Sequence, residues 1–196
     1  PVVAPSGPGY HYTLGFDSRA QQYLEVSAVF PTDGKDALEL MLATWTPGSY
    51  LIREYARHFE AVEAKGEGGP LAIEKTAKNR WTVQTGGADH VQVDYRVYSR
   101  IMSVRTNWVD SDFAVLNGAP TFMTVVGGHD RPHEILIDIP EAWEHCVVAL
   151  PAHSDGKPCH FVAADFDTVV DSPILAGDLA LYDFEIDGVP HVLANV

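Results

Sequence analysis

The stretch His90-Val-Gln-Val-Asp-Tyr-Arg-Val-Tyr-Ser99 decides the fold class. Val91, Val93, Tyr95 and Val97 share one face and Gln92, Asp94, Arg96 and Tyr98 the other, the period of two that a strand with one buried face requires. Working outward, residues 10–16, 23–30 and 37–44 are short apolar or alternating runs bounded by turn chemistry such as Pro31-Thr-Asp-Gly34. Further strands are predicted over 61–64, 71–75, 81–84, 122–126, 133–140, 144–150 and 160–163. Asp187-Gly188 between the apolar runs 181–186 and 189–196 predicts a closing hairpin. Residues 104–128 are less regular: Asn107-Trp108-Val-Asp110-Ser-Asp112 reads as a polar stretch and Asn117-Gly118-Ala-Pro120 as a turn. A single helical turn over 165–171 is stopped by Ser172-Pro173. About a dozen short strands with frequent turns predict an all-β, mainly antiparallel protein, a β-sandwich or saddle-like sheets with at most short helical turns. Residues 1–9 read as a flexible Pro/Gly-rich lead-in and 10–196 as one domain.

Composition excludes several functions. The 196 residues carry 27 acidic and 13 basic side chains, a formal charge of -14, which repels nucleic acid and anionic lipid. No apolar run is long enough for a membrane helix. Cys146 and Cys159 flank Pro151 and the Ser154-Asp-Gly-Lys157 turn; opposite strands of a hairpin would bring them within bridging distance, and two buried free thiols are the alternative.

The most distinctive segment is Trp45-Thr-Pro-Gly-Ser-Tyr50-Leu-Ile-Arg53-Glu-Tyr55-Ala-Arg-His58-Phe59. Pro47-Gly48 has type II turn chemistry, with Pro presetting φ and Gly free to take φ > 0. Residues 50–58 are too polar and aromatic for a plain core strand. Their physical reading is a segment thrown out by the turn, with Tyr50, Arg53 and Tyr55 at one sheet edge, where they can buttress a neighbouring domain.

Complete catalytic constellations are missing. A zinc peptidase needs His-Glu-x-x-His on one helix, so that both imidazoles share a face beside the metal-bound water, and the chain has none. His129 and His133 are four apart, but Gly127-Gly128 and Pro132 rule out a helix there, leaving a solvated loop before the next strand. Asp110/Asp112 and Asp165/Asp167/Asp171 lack a calcium-loop pattern, no Gly-x-Ser-x-Gly elbow exists, and neither Cys has a catalytic signature. No metal ligand or catalytic residue is assigned.

Trp-x-Pro-Gly-Ser-Tyr-x-x-Arg-x-Tyr, with Tyr10-His-Tyr12, Trp81, Asn117-Gly118, Pro140-Glu-Ala-Trp143, Asp171-Ser-Pro-Ile174 and Gly177-Asp178, resembles the N-terminal domain of the bacterial glycyl aminopeptidase family, gluzincin-type zinc metallopeptidases with a trailing PDZ domain. The resemblance implies that a helical catalytic domain, with the zinc ligands, follows close to Val196, and that this chain alone is inactive and holds no cofactor. Its partners would be its own catalytic domain and a peptide with a free N-terminus. By analogy with related exopeptidases the β-rich domain walls off the substrate cleft. Residues 110–118 and 171–178 are the segments expected to face the catalytic domain. Asn117, Gly118 and Asp171 are candidate substrate-amine contacts; the alternative for Asp171-Ser-Pro-Ile174 is a capped turn fixing a domain boundary. Such a peptidase is expected in the periplasm or secreted rather than in the cytoplasm.

Overall fold

The structure, a computed structural model, describes residues 7–46, 48–49 and 51–196. The strands begin with β1 (Tyr10–Gly15), β2 (Tyr23–Pro31), β3 (Ala37–Leu42), β4 (Phe59–Gly66), β5 (Gly69–Leu71) and β6 (Ile73–Ala77). Then come β7 (Arg80–Gln84), β8 (His90–Tyr98), β9 (Arg100–Ser103), β10 (Thr106–Val109), β11 (Phe113–Leu116) and β12 (Met123–Val125). β13 (His133–Asp138), β14 (His145–Val148), β15 (His160–Ala163), helix α1 (Phe166–Val170), β16 (Ile174–Gly177), β17 (Ala180–Ile186) and β18 (Val189–Asn195) complete the order.

A seven-stranded sheet runs β15-β13-β1-β2-β8-β4-β5, and β8 sits inside it with Val91, Val93, Tyr95 and Val97 buried, as the alternation predicts. All its pairings are antiparallel except β1 with β13. A four-stranded sheet, β12-β3-β7-β6, packs over its inner face. Two buried phenols join the layers: Tyr12 donates to the Met123 carbonyl at 2.8 Å and Tyr95 to that of Thr121 at 2.9 Å. Burial pushes both phenols above their ordinary pKa, so they remain neutral donors. The result is a β-sandwich with a third sheet, β14-β16-β11-β10-β9, at one end. Phe16 packs on Trp143 there, ring centroids 4.8 Å apart, and the Trp143 indole donates to the Ser111 carbonyl.

Five strands escape the sequence pattern, β5, β9, β10, β11 and β16. The polar stretch at Asn107–Asp112 turns out to be a hairpin. Asp110 Oδ1 accepts from the amides of Asp112 and Phe113 at 2.8 and 2.9 Å, so a side chain closes the turn. Buried Asn107 bonds Thr121 Oγ1 and the Asn117 amide, which lets a polar residue occupy the interior of β10. The helical turn exists as expected, capped by Asp165, whose Oδ1 accepts from the Thr168 amide at 2.8 Å.

The strand predicted over 133–140 forms as β13, but the expectation that His133 sits in a solvated loop needs correction. His133 opens β13 fully buried, its ring parallel to that of Tyr12 and edge-on to Tyr10. Nδ1 lies 2.8 Å from the Arg131 carbonyl and Nε2 3.3 Å from Thr124 Oγ1, which fits a neutral ring donating from Nδ1. Burial lowers its pKa to about 4. His129 stays exposed, so the two histidines form no pair. Cys146 and Cys159 are disulfide-bonded with Cα atoms 5.8 Å apart, which resolves the two alternatives for them.

Candidate functional site

Gly48 takes the positive φ that its turn chemistry calls for, while Pro47 lies outside the described residues. Gly48 has φ +77, the Ser49 amide donates to the Thr46 carbonyl at 3.0 Å, and the Arg53 amide donates to the Thr44 carbonyl. Arg53 is half-buried, with Nη2 3.3 Å from Ser49 Oγ. Tyr55 opens a 3-10 turn, Tyr55–His58, and is 3% exposed, its ring in the domain's own core. Tyr50, the third interface candidate, lies outside the described residues. Leu51 and Ile52 stand out from the surface between them, 64% and 67% exposed.

Two clefts flank this segment. One of 630 Å³ runs between it and β6, lined by Ile52, Arg53, Tyr55, Arg57, Lys75 and Lys78 among others. The other, of 520 Å³, lies against the β9–β10 hairpin and adds His58, Ile101 and Arg105. Arg53, Arg57, Lys75, Lys78 and Arg105 are five of the chain's 13 basic residues, gathered in an otherwise acidic protein. Among the described residues only Glu54, which pairs with Lys78, offsets them within the linings, so the field here is positive and suits a carboxylate-bearing surface.

The segments 110–118 and 171–178 come together, because β11 pairs with β16 from Phe113↔Gly177 to Leu116↔Ile174. The three candidate contacts at the end of that pair differ in what they can do. The Asn117 side-chain amide donates to the carbonyls of Ser103 and Thr106, holding the β9–β10 hairpin. Gly118 is a close-approach position, where an added Cβ would stand 2.7 Å from Val170 Cα and 2.9 Å from the Val169 carbonyl carbon. Asp171 is exposed at the C-terminal end of α1 and lines a 530 Å³ cleft with Trp45, Arg80, His129 and Asp167. Asp171 lines that cleft, whereas the Asn117 amide is turned to β9–β10.

A second surface was legible only as a hairpin. Asp187 and Gly188 take φ +51 and +77 and close β17 on β18, and no other strand among the described residues pairs with either. The register sets Tyr182 opposite Leu193, Phe184 opposite His191 and Ile186 opposite Val189. These six share one face, and all are exposed. Asp183 and Glu185 lie on the opposite face.

The sequence matches the Peptidase M61 N-terminal domain over residues 11–178. The chain belongs to that family. The M61 assignment is joined by a structural likeness to an aminopeptidase N family protein from Idiomarina loihiensis: TM-score 0.88 and 30% identity, over 94% of this chain and 32% of that one. Native leukotriene A4 hydrolase from Saccharomyces cerevisiae is more distant, with TM-score 0.49 and 12% identity over 89% of this chain and 29% of that one. No curated protein sequence matches. The chain thus spans about a third of the length of these solved structures. It is a peptidase-associated N-terminal domain of all-β fold. No helix among the described residues is long and apolar enough to cross a membrane.

Sequence reasoning passed over one cluster, His11, Glu134, His153 and His160. Its members are scattered through the chain. The available signal was parity: once β1, β13 and β15 are aligned as neighbours, residues 11, 134 and 160 fall on one face.

Proposed function

We propose that this chain is the non-catalytic N-terminal domain of a zinc-dependent glycyl aminopeptidase, packing on the catalytic domain and walling off the substrate cleft so that only N-terminal residues are released. The apolar face of β17–β18 is the observation that carries this reading. A lone two-stranded hairpin gains little stability by itself, and a row of exposed aromatic and aliphatic side chains signals a protein contact. The hairpin comes after residue 178, where the family match ends, in the direction in which the catalytic domain is expected. Leu51 and Ile52 offer a second apolar contact beside the basic clefts.

A free-standing carbohydrate- or peptide-binding module would instead present a groove lined by aromatic platforms. Among the described residues, the two clefts beside 51–58 have Tyr55 as their single Phe, Tyr or Trp lining residue, and its ring is buried. The 196 residues contain no His-Glu-x-x-His, so they do not fit the family's zinc peptidase centre and no hydrolytic step is assigned to them. Zinc, and the PDZ domain, belong to the rest of the protein in this reading.

Of the amine-binding candidates Asp171 is the best placed, since it keeps an exposed carboxylate that can pair with an ammonium group. The purified 196-residue chain is expected to release no glycine from Gly-x dipeptides, while the full-length enzyme does so in a chelator-sensitive way. Turnover by the chain alone would overturn the assignment. In the full-length enzyme Asp171→Ala should raise KM for Gly-x substrates with kcat little changed; unchanged kinetics would remove Asp171 from the site.

A further inference from the structure

On the outer face of the seven-stranded sheet, at its β15 edge, four lengths of chain bring three imidazoles and two carboxylates together. His11 and Glu134 are register partners on β1 and β13, and His160 on β15 faces Leu136, two residues along from Glu134 on the same side. The segment before β15 returns antiparallel to it: the His153 amide donates to the His160 carbonyl at 2.7 Å and the Val162 amide to that of Pro151 at 3.0 Å. That pairing sets His153 against His160, ring centroids 4.1 Å apart. The Cys146–Cys159 disulfide anchors the residue preceding His160, and Asp155 caps the hairpin tip.

The donor atoms converge closely enough to hold a metal ion. Glu134 Oε1 lies 2.9 Å from His160 Nε2, and Glu134 Oε2 lies 3.7 Å from His153 Nε2. Metal–ligand bonds of about 2.1 Å in a tetrahedron put neighbouring ligand atoms about 3.4 Å apart, and each imidazole here meets a different oxygen of Glu134 at a separation near that value. One ligand atom from each of Glu134, His153 and His160 lies within 4.8 Å of the others.

The surrounding groups orient those atoms. Both oxygens of Asp155 approach His160 Nδ1, at 3.0 and 2.9 Å, which places a proton on Nδ1 and turns Nε2 toward Glu134. His153 Nδ1 lies 3.1 Å from Asp155 Oδ1 and 3.2 Å from the Asp155 amide. His11 Nδ1 holds Glu134 Oε2 from the far side at 2.9 Å. The carboxylate of Asp155 behind His160 is the arrangement that fixes metal-binding histidines in other proteins, while His153 Nδ1 accepts from the Asp155 amide. With Nδ1–H given to Asp155, a proton or a metal ion must bridge His160 Nε2 and Glu134, and His153 aimed at the same carboxylate makes a three-ligand set.

We propose that Glu134, His153 and His160 form a divalent transition-metal site, of the class that takes Zn²⁺, with Asp155 and His11 as its orienting groups. Two imidazoles and one carboxylate are borderline donors that suit Zn²⁺ over Ca²⁺ or Mg²⁺. The ion would pin the 151–160 hairpin, already tied by the disulfide, onto β13, and leave at least one coordination position for water. Nothing about peptide hydrolysis depends on it.

The test is metal binding by the full-length protein, stripped with chelator and titrated with Zn²⁺ alone, against the same protein carrying His153→Gln. His153 is partly exposed, so its replacement keeps the fold where a change at buried His160 can fail to. Wild type should bind one zinc equivalent more than His153→Gln. Asp155→Asn, which keeps all three ligands, should weaken that extra site by ~10–100-fold. Zinc should also raise the Tm of the transition that includes this domain in wild type and not in His153→Gln. Equal stoichiometry in wild type and His153→Gln, with circular dichroism showing both folded, would overturn the site and leave the cluster as a proton-bridged network. The Asp171 kinetics would be untouched by that outcome.

Discussion

Phe184 sits at the centre of the unpaired hairpin's apolar face, 47% exposed and stacked on His191 with centroids 5.2 Å apart. Burying a Phe completely is worth ~1.5–3 kcal/mol, so the half still facing water represents about 1 kcal/mol of unused stabilisation. Tyr182, Ile186, Val189 and Leu193 on the same face are exposed to a similar degree, which makes the gross driving force for covering the hairpin about 5 kcal/mol. Phe184→Asp removes one share and puts a carboxylate into the covered interface, where desolvation adds ~1–3 kcal/mol. The total, about 3 kcal/mol, is roughly a hundredfold in the docking equilibrium. In the isolated 196-residue chain the same change falls on an exposed strand and should cost less than about 1 kcal/mol, or no more than ~2–4 °C in Tm. Thermal unfolding of wild type and Phe184→Asp, each as isolated chain and as full-length protein, gives the comparison, with Phe184→Leu as an apolar control. A large Tm drop confined to the full-length protein is expected. Equal drops in both contexts would show that Phe184 stabilises only its own hairpin and would refute the reasoning.

Other expectations come from local geometry. Gly118→Ala must push Val169 and Val170 away from the end of β11 and should cost ~1–3 kcal/mol in urea unfolding, a structural effect that any kinetic study of this position has to separate from substrate binding. Breaking the Cys146–Cys159 bond by a double Ser substitution should cost about 3 kcal/mol, since it closes a loop with a sequence separation of 13. Hydrogen bonds from the Thr168 side chain and amide hold the Asp165 carboxyl below its ordinary pKa. Its stabilising contribution is therefore complete above the unfolded-state value and is lost as pH falls through the folded one. Asp165→Asn should keep the cap and flatten this acid-side slope in Tm, whereas Asp165→Ala should lower Tm at neutral pH as well. Tyr12→Phe leaves the Met123 carbonyl without its buried partner and should cost ~1–3 kcal/mol.

How far the sequence could be read depended on whether backbone pattern or side-chain chemistry made each element. β8 was legible because every second residue is apolar, and the final hairpin because Asp187-Gly188 suits two consecutive positive φ values. β10 and β11 were not, because Asn107 and Asp110 look like loop residues until their hydrogen bonds to Asn117, Thr121 and Phe113 are seen. The start of β13 at His133 was legible, but the burial of its ring was hidden, because Gly127-Gly128 and Pro132 announce a solvated approach to the strand. Of the candidate site, 110–118 and 171–178 were singled out from the resemblance as segments facing the catalytic domain; that they pair with each other through β11 and β16 was not legible. The histidine cluster was hidden because its residues meet only through pairings between distant segments, His11 with Glu134 across parallel β1–β13 and His160 with Glu134 across β13–β15, which no local pattern signals.

The claim that this domain docks through β17–β18 is tested most directly by amide hydrogen exchange over residues 180–195, measured in the isolated chain and in the full-length protein. The account predicts fast exchange in the isolated chain, where the hairpin's apolar face meets water, and protection raised by at least about tenfold, worth ~1.4 kcal/mol, once the catalytic domain is present. Exchange at the same rate in both would contradict it.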